Sequence, residues 1–146
     1  IKQAGPRADR RGAAVVEFAL VAPLFFMLVF GVIEFGQAFM VSQVLNSAAR
    51  DAVRVAIADG STNASVEAAV LDVIERTTTT DPADVTVTIT VTPDGANPDP
   101  GNQVGNARKR DLCTVDVQVS FSDGSVVTGE FLDGVPLRGN CSMRHE

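Results

Sequence analysis

Residues Ala13–Val41 read AAVVEFALVAPLFFMLVFGVIEFGQAFMV, and this stretch decides the architecture. Its uncharged part, Phe18–Ile33, is bounded by Glu17 and Glu34 and covers about 24 Å as an α-helix. The hydrocarbon core of a bilayer is roughly 30 Å thick, so a full crossing needs the flanking apolar residues as well. The competing interpretation is a buried helix of a soluble core, but few soluble chains of 146 residues could cover this helix on every side. The sequence therefore predicts a transmembrane helix over residues 13–41.

The charges on the two sides of this helix are unequal. Of the 12 basic and 18 acidic residues in the chain, four basic residues and one acid precede Ala13. A basic segment, an apolar run and then an acidic body are typical of a chain whose N-terminus stays in the cytoplasm. We therefore predict a basic cytoplasmic leader over residues 1–12 and a C-terminal region outside the cytoplasm. The formal net charge of -6 argues against a nucleic-acid partner, because phosphates require a basic surface.

The helical pattern continues beyond the apolar run. In residues 42–60, SQVLNSAARDAVRVAIADG, apolar side chains recur at helical spacing and polar ones occupy the other faces. We predict an amphipathic extension of the same helix, ending at Gly60. Arg50 and Arg54 lie one turn apart on this extension. Such a pair forms either a solvated face or a contact for a partner protein.

The remaining residues, 61–146, predict an extracytoplasmic α/β region with about three strands. Ser65–Arg76 has the period of a short amphipathic helix. Alternation of apolar and polar residues predicts strands at Asp84–Thr92 and Leu112–Phe121, and we expect a third at Val126–Leu132, joined to the second by a turn at Asp123-Gly124. The tail, Val135–Glu146, has no clear pattern. The fold class is therefore α+β, with a long helix and a small antiparallel sheet that cover each other's apolar faces.

Two cysteines, Cys113 and Cys141, lie in this last region. An even pair beyond a membrane segment is consistent with a disulfide in an oxidising compartment. The alternative is two unpaired small residues of the core. Spacing along the chain does not decide between them, because a disulfide requires the two Cα atoms to come within about 7 Å.

One acid lies inside the apolar helix, close to its start. Glu17 follows Gly12 and the small or apolar residues AAVV. A glutamate costs a few kcal/mol near the centre of a bilayer and less near its edge, so it either reaches the interface or needs a positively charged partner. The N-terminal amine of a neighbouring subunit would serve as that partner. Cleavage between Gly12 and Ala13 would create such an amine four residues before the carboxylate.

These residues resemble a known family. The pattern is similar to the leader of type IV pilins, in which a prepilin peptidase cleaves after Gly and the fifth mature residue is Glu. RRGAAVVEFALVAPLFFMLVFGVIEFGQAF followed by NSAARDAVR resembles, more narrowly, the TadE-like minor pseudopilins of tight-adherence (Tad, or Flp) pilus systems. The similarity extends from Arg10 to about Arg54, and the closing SMRHE, residues 142–146, is also typical of such chains.

The resemblance implies roles for several residues. Gly12 and Ala13 would form the processing site, and Glu17 would assist cleavage or subunit assembly. Glu34, with Arg50 and Arg54, is a candidate partner contact, and we expect solvent to reach Glu34 at the far interface. The implied partners are a prepilin peptidase, other pilins or pseudopilins, an inner-membrane assembly platform and membrane lipid. The expected location is the bacterial inner membrane, in a single pass, with incorporation into a pilus left open.

The sequence offers no candidate catalytic residues, so we expect no enzyme activity, no metal and no cofactor. His145 is the only histidine and lies next to the C-terminus. Neither cysteine has a second metal ligand at zinc-site spacing. The alternative function is a single-pass anchored or secreted binding module with a plain signal-anchor. Against a cleaved signal peptide, the apolar run of this chain is longer than the 7–15 residues usual for the apolar region of such a peptide.

Overall fold

The computed structural model describes residues 8–78, 81–120, 132 and 134–145. Its elements are two α-helices and a three-stranded antiparallel sheet, with the bounds α1 Ala8–Ala56, α2 Asn63–Thr77, β1 Val85–Thr92, β2 Leu112–Ser120 and β3 Pro136–Arg144. Two short 3-10 turns, Pro82–Asp84 and Val104–Asn106, lie in the connections. The predicted α+β architecture is confirmed.

Helix α1 combines the predicted membrane segment and the amphipathic extension without a break. It begins at Ala8, inside the predicted leader. Regular helix ends at Ala56, and Gly60, with φ at 80°, lies in the turn that follows. That dihedral favours glycine, because a side chain would be strained there. Within the described residues, α1 is the one helix long and apolar enough to cross a membrane.

The two parts of α1 have different surroundings. From Gly12 to Ile33 its side chains are exposed or half-exposed, although most of them are apolar. From Glu34 onward one face is buried, and its apolar members are Ala38, Leu45, Ala48, Ala49, Ala52, Val53 and Ala56. We call residues 12–33 the anchor. We call the remainder, from Glu34 to His145, the head.

Helix α2 begins at a capping box. The Thr62 side chain accepts a hydrogen bond from the Ser65 N–H, and the Ser65 hydroxyl accepts one from the Thr62 N–H. These reciprocal bonds satisfy two backbone donors that the first helical turn leaves free. Val66, Val70 and Ile74 are buried against α1 and the sheet. The predicted helix Ser65–Arg76 is thus confirmed, with two extra residues at its start and one at its end.

The sheet has the order β1-β2-β3 with antiparallel neighbours. Alternation along β1 and β2 follows the prediction, since Val115, Val117 and Val119 are buried and their neighbours are more exposed. The third strand is Pro136–Arg144, in the tail that the sequence pattern left undetermined. The predicted strand Val126–Leu132 and the turn at Asp123-Gly124 lie outside the described residues, except for Leu132, which forms a bend.

Strand β3 packs directly against α1, and a glycine allows it. A Cβ at Gly139 would lie 2.6 Å from the carbonyl oxygen of Leu45 and would also overlap the backbone of Asn46. The alternation in PLRGNCSMR becomes visible once Gly139 is counted with the inward residues Leu137, Cys141 and Met143. The central inward position must be a glycine because the helix backbone occupies the space of a side chain.

The direction of β3 relative to α1 shows which end of the head lies next to the anchor. Leu132, just before β3, contacts Glu34 of α1, whereas Gly139 in the middle of the strand contacts Leu45. Strand β3 and helix α1 therefore run in the same direction. We call the end of the head next to the anchor, near Leu132, the base. The opposite end contains the loop between β1 and β2.

Candidate assembly site on the anchor helix

The predicted processing site lies on the exposed start of α1. Gly12, Ala13 and Glu17 are all helical and all exposed. Nothing lies within 4 Å of the position that a Cβ of Gly12 would take. The packing of this chain therefore does not require a glycine at position 12. In a helix interior, glycine also costs about 1 kcal/mol relative to alanine.

Glu34 occupies a different environment from the one expected from the sequence. It is only 2% exposed, and its Oε1 accepts a hydrogen bond of 2.7 Å from the backbone N–H of Leu132. The expectation that solvent reaches Glu34 is wrong in this structure, because the base of the head covers it. Glu34 thus joins α1 to the connection that leads into β3. A role as a contact for another protein stays a prediction.

Arg50 and Arg54 lie on the exposed face of α1, opposite the sheet. Arg54 forms an ion pair of 3.7 Å with Asp51, and both side chains are more than half exposed. Such a surface pair contributes little stability, typically less than 1 kcal/mol. The structure thus places both arginines on a solvated face. Their role as partner contacts stays a prediction.

Cys113 and Cys141 lie on neighbouring strands, and both are free thiols in the structure. Cys113 is paired with Met143, and Cys141 with Val115, so the two cysteines are diagonal neighbours on the face toward α1. Diagonal positions are about 7–8 Å apart, at the limit of disulfide geometry. The disulfide between them stays a prediction. Burial and the nearby charge of Asp111 raise the pKa of the Cys113 thiol, which makes it less reactive.

One buried charge was missed in the sequence analysis. Asp111 is fully buried, and its carboxylate accepts hydrogen bonds from the Asn97 side chain at 2.6 Å, the Arg108 N–H at 2.7 Å and the Asp94 N–H at 2.9 Å. These bonds, the one from Asn97 first, lower the pKa of Asp111 below its ordinary value. The carboxylate thus organises the loop between β1 and β2. The available signal was an aspartate directly before an alternating strand.

The same loop is attached to the end of β3. The backbone N–H of Arg110 donates to the His145 carbonyl at 2.8 Å, and the N–H of His145 donates to the Asp111 carbonyl at 2.9 Å. Asp94 adds ion pairs with Arg110 at 3.3 Å and Arg144 at 3.7 Å. His145, next to the C-terminus in sequence, is therefore held by backbone pairing.

The described residues contain no group of three or more His, Cys, Asp or Glu side chains that could hold a metal ion. Two grooves lie along the apolar part of α1. One is lined by Phe18, Val21, Ala22, Phe25 and Phe26, and the other extends from Leu28 to Phe39. Both are open apolar surfaces that no other described part of the chain covers.

This bare apolar helix, with one acid near its start and an amphipathic continuation, coincides with a family match. Residues 12–54 match the family described as TadE-like protein. The anchor and the packed part of α1 are TadE-like. The match begins at Gly12 and ends in the last turns of α1, so it confirms the resemblance inferred from the sequence over that range. No curated protein and no solved structure matches the chain.

Over residues 12–54 the chain therefore resembles TadE-like proteins, which are components of Tad pilus systems. The single N-terminal apolar helix fits a membrane anchor of such a component. The matched residues do not include helix α2, the sheet or the loop that is held by hydrogen bonds to Asp111. Their arrangement is known from the structure alone.

Proposed function

We propose that the chain is a minor pilin-like subunit, a pseudopilin, of a Tad or type IV-like pilus or secretion assembly, that it acts in pilus biogenesis and surface adherence, and that it has no enzyme activity. Its anchor crosses the inner membrane once, with the head outside the cytoplasm. The main support is the TadE-like match to residues 12–54, which lies on a helix that leaves its apolar anchor uncovered. An uncovered apolar helix requires lipid or neighbouring subunits.

We also infer that a prepilin peptidase cleaves between Gly12 and Ala13. Position 12 has no neighbour that would exclude a side chain, and the helix would be more stable with alanine there. Recognition by another protein accounts for a glycine that this chain's packing does not require. The exposed Glu17 then lies one turn beyond the new N-terminus, where it can pair with the amine of a neighbouring subunit.

Mass spectrometry of the chain isolated from its native membrane tests this proposal. A mature N-terminus at Ala13 is the expected result. A mature N-terminus at Arg50, directly after the small residues Ser47-Ala48-Ala49 that a signal peptidase could recognise, would favour the secreted binding module. An uncut leader would favour the plain signal-anchor.

Substitution of the processing residue gives a second test. We expect Gly12→Arg to abolish cleavage and to leave membrane insertion intact, because a long charged side chain occupies the position next to the scissile bond. Gly36→Ala is the matched control, since Gly36 is also an uncrowded helical glycine but lies far from the site. Normal maturation of the Gly12→Arg chain would contradict the assigned cleavage site.

A further inference from the structure

The exposed face of α1 changes from apolar to polar well beyond the start of the head. Phe35, Phe39 and Met40 are all at least half exposed, and Phe39 and Met40 reach 70%. The next exposed residues along the helix are polar or charged: Gln43, Ser47, Arg50, Asp51 and Arg54. The head, however, begins to cover α1 at Glu34. The apolar environment of the helix therefore extends about 9 Å past the first residue that the head contacts.

The rise of the helix allows the positions of Glu34 and of residues 35–40 to be compared with the layers of a bilayer. From Val15 to Glu34 the helix rises about 29 Å, close to the roughly 30 Å of a hydrocarbon core. From Glu34 to Met40 it rises about 9 Å further, which is comparable to the roughly 5–8 Å thickness of one headgroup layer. Residues 35–40 thus match the headgroup layer in depth. The base of the head lies at this same level.

The surface of the base agrees with this depth. Outside α1, Val135 is the single large apolar residue that is exposed among the described residues, at 39%. Its N–H donates to the carbonyl of Leu132, whose own N–H donates to Glu34. Val135 therefore lies between the level of Glu34 and that of Leu45, where Gly139 packs. The polar face of β3 begins only after it.

The burial of Glu34 has the same explanation. At the edge of the hydrocarbon core, a carboxylate facing lipid would be costly. The head covers Glu34, and the backbone N–H of Leu132 satisfies one of its oxygens at 2.7 Å. A head held in water above the membrane would not need to shield this acid. The acids Asp81 and Asp84 are exposed just before β1, so the apolar contact lies on the β3 side of the base.

We propose that the base of the head is embedded in the phospholipid headgroup layer, with Val135 in contact with lipid beside Phe35, Phe39 and Met40. This inference rests on the proposed membrane anchor and adds a second contact between the protein and the bilayer. The contact holds the head against the membrane and restricts its rotation about the anchor. A subunit leaving the membrane for a filament must break it.

Tryptophan fluorescence tests the contact directly, because the chain contains no Trp and no Tyr. The full chain carrying Val135→Trp is reconstituted into phosphatidylcholine vesicles at low protein density, with lipids brominated at shallow or deep acyl positions. We expect blue-shifted emission and strong quenching by the shallow bromines. Phe39→Trp, on α1 at the same level, is expected to give the same result.

Two control variants separate the possible failures. Phe26→Trp, in the middle of the anchor, is expected to be quenched best by deep bromines. Ala96→Trp, exposed in the loop at the opposite end of the sheet, is expected to be quenched by aqueous iodide instead. Circular dichroism confirms that each variant keeps its fold.

Each outcome decides a different claim. If the Phe26→Trp variant escapes quenching by lipid, the membrane anchor itself is wrong. If that variant is quenched while Val135→Trp and Phe39→Trp behave like Ala96→Trp, the anchor stands and the embedded base is overturned. Emission from the Val135→Trp variant that shifts only at high protein density would show that a second copy, rather than lipid, covers the base.

Discussion

At the scale of single residues, the fold depends most on positions where the backbone or a charge is enclosed. Gly139 and Asp111 are two such positions, and neither belongs to the TadE-like segment. Gly139 allows β3 to contact the backbone of α1. Asp111 satisfies three donors of a loop that would otherwise have to leave them unpaired. Residues of this kind tolerate substitution poorly, because no rearrangement of a flexible side chain can accommodate the change.

We predict that Gly139→Ala destabilises the head by about 1–3 kcal/mol, the usual cost of overpacking. The added methyl group would overlap the backbone of Leu45, which cannot move without displacing α1. Urea unfolding of the full chain in detergent, followed by circular dichroism, measures the change. Gly95→Ala is the control, because nothing lies within 4 Å of a Cβ there. Equal stability of the two variants would show that β3 and α1 are not in contact as described.

At the scale of elements, the loop between β1 and β2 depends on a carboxylate, and this makes the head sensitive to acid. The folded pKa of Asp111 is lowered, mainly by the hydrogen bond from Asn97 and then by that from Arg108. The stabilisation is therefore fully present above the ordinary aspartate pKa of about 3.9. It is lost as the pH falls through that value toward the lower folded pKa.

We expect Asp111→Asn to lower stability at pH 7 and to reduce the loss of stability as the pH falls below the ordinary aspartate pKa of about 3.9. Thermal unfolding of the full chain at a series of pH values tests this. Asp116→Asn, on the outer face of β2, is the control and should retain the acid dependence of the wild type. An unchanged acid dependence in the Asp111→Asn chain would contradict the role of this carboxylate.

At the scale of the whole molecule, the head is packed around its own core, whereas the anchor has no packing partner among the described residues. The head has a continuous core between α1, α2 and the sheet. The anchor has apolar side chains on all sides and no cover from the rest of the described chain. Lipid and neighbouring subunits are the environments that can complete it. Glu17 is the one acid in the anchor, so it is the residue most sensitive to which of the two surrounds the helix.

We predict that Glu17→Ala and Glu17→Gln weaken association with other pilus subunits about tenfold or more, which corresponds to roughly 1.4 kcal/mol. Both remove the charge that would pair with an N-terminal amine, and both leave the anchor apolar enough to insert. Co-purification from native membranes and counts of assembled pili measure the effect. Glu67→Gln, on the exposed face of α2, is the control. Unaltered assembly in both Glu17 variants would reduce the protein to a simple tether.

The sequence by itself determined the anchor, the amphipathic stripe of α1, the short helix and the first two strands. In each of them apolar residues recur at a regular spacing, because one face must be buried in the core. In β1, for example, exposed threonines alternate with valines and an isoleucine that face inward. The same reasoning selected Gly12 and Glu17 as candidate site residues, because a glycine and an acid stand out in an apolar run, and their roles stay predictions.

Only the tertiary structure decided which segment forms β3, where Glu34 lies and what Asp111 does. Strand β3 carries a glycine where the pattern calls for an apolar residue, since the backbone of α1 fills that space. Glu34 meets Leu132, and Asp111 meets Asn97, across separations that no local pattern encodes. Burial of a charge depends on these distant partners. A carboxylate that looks solvent-facing in sequence is enclosed once the chain brings a backbone N–H to it.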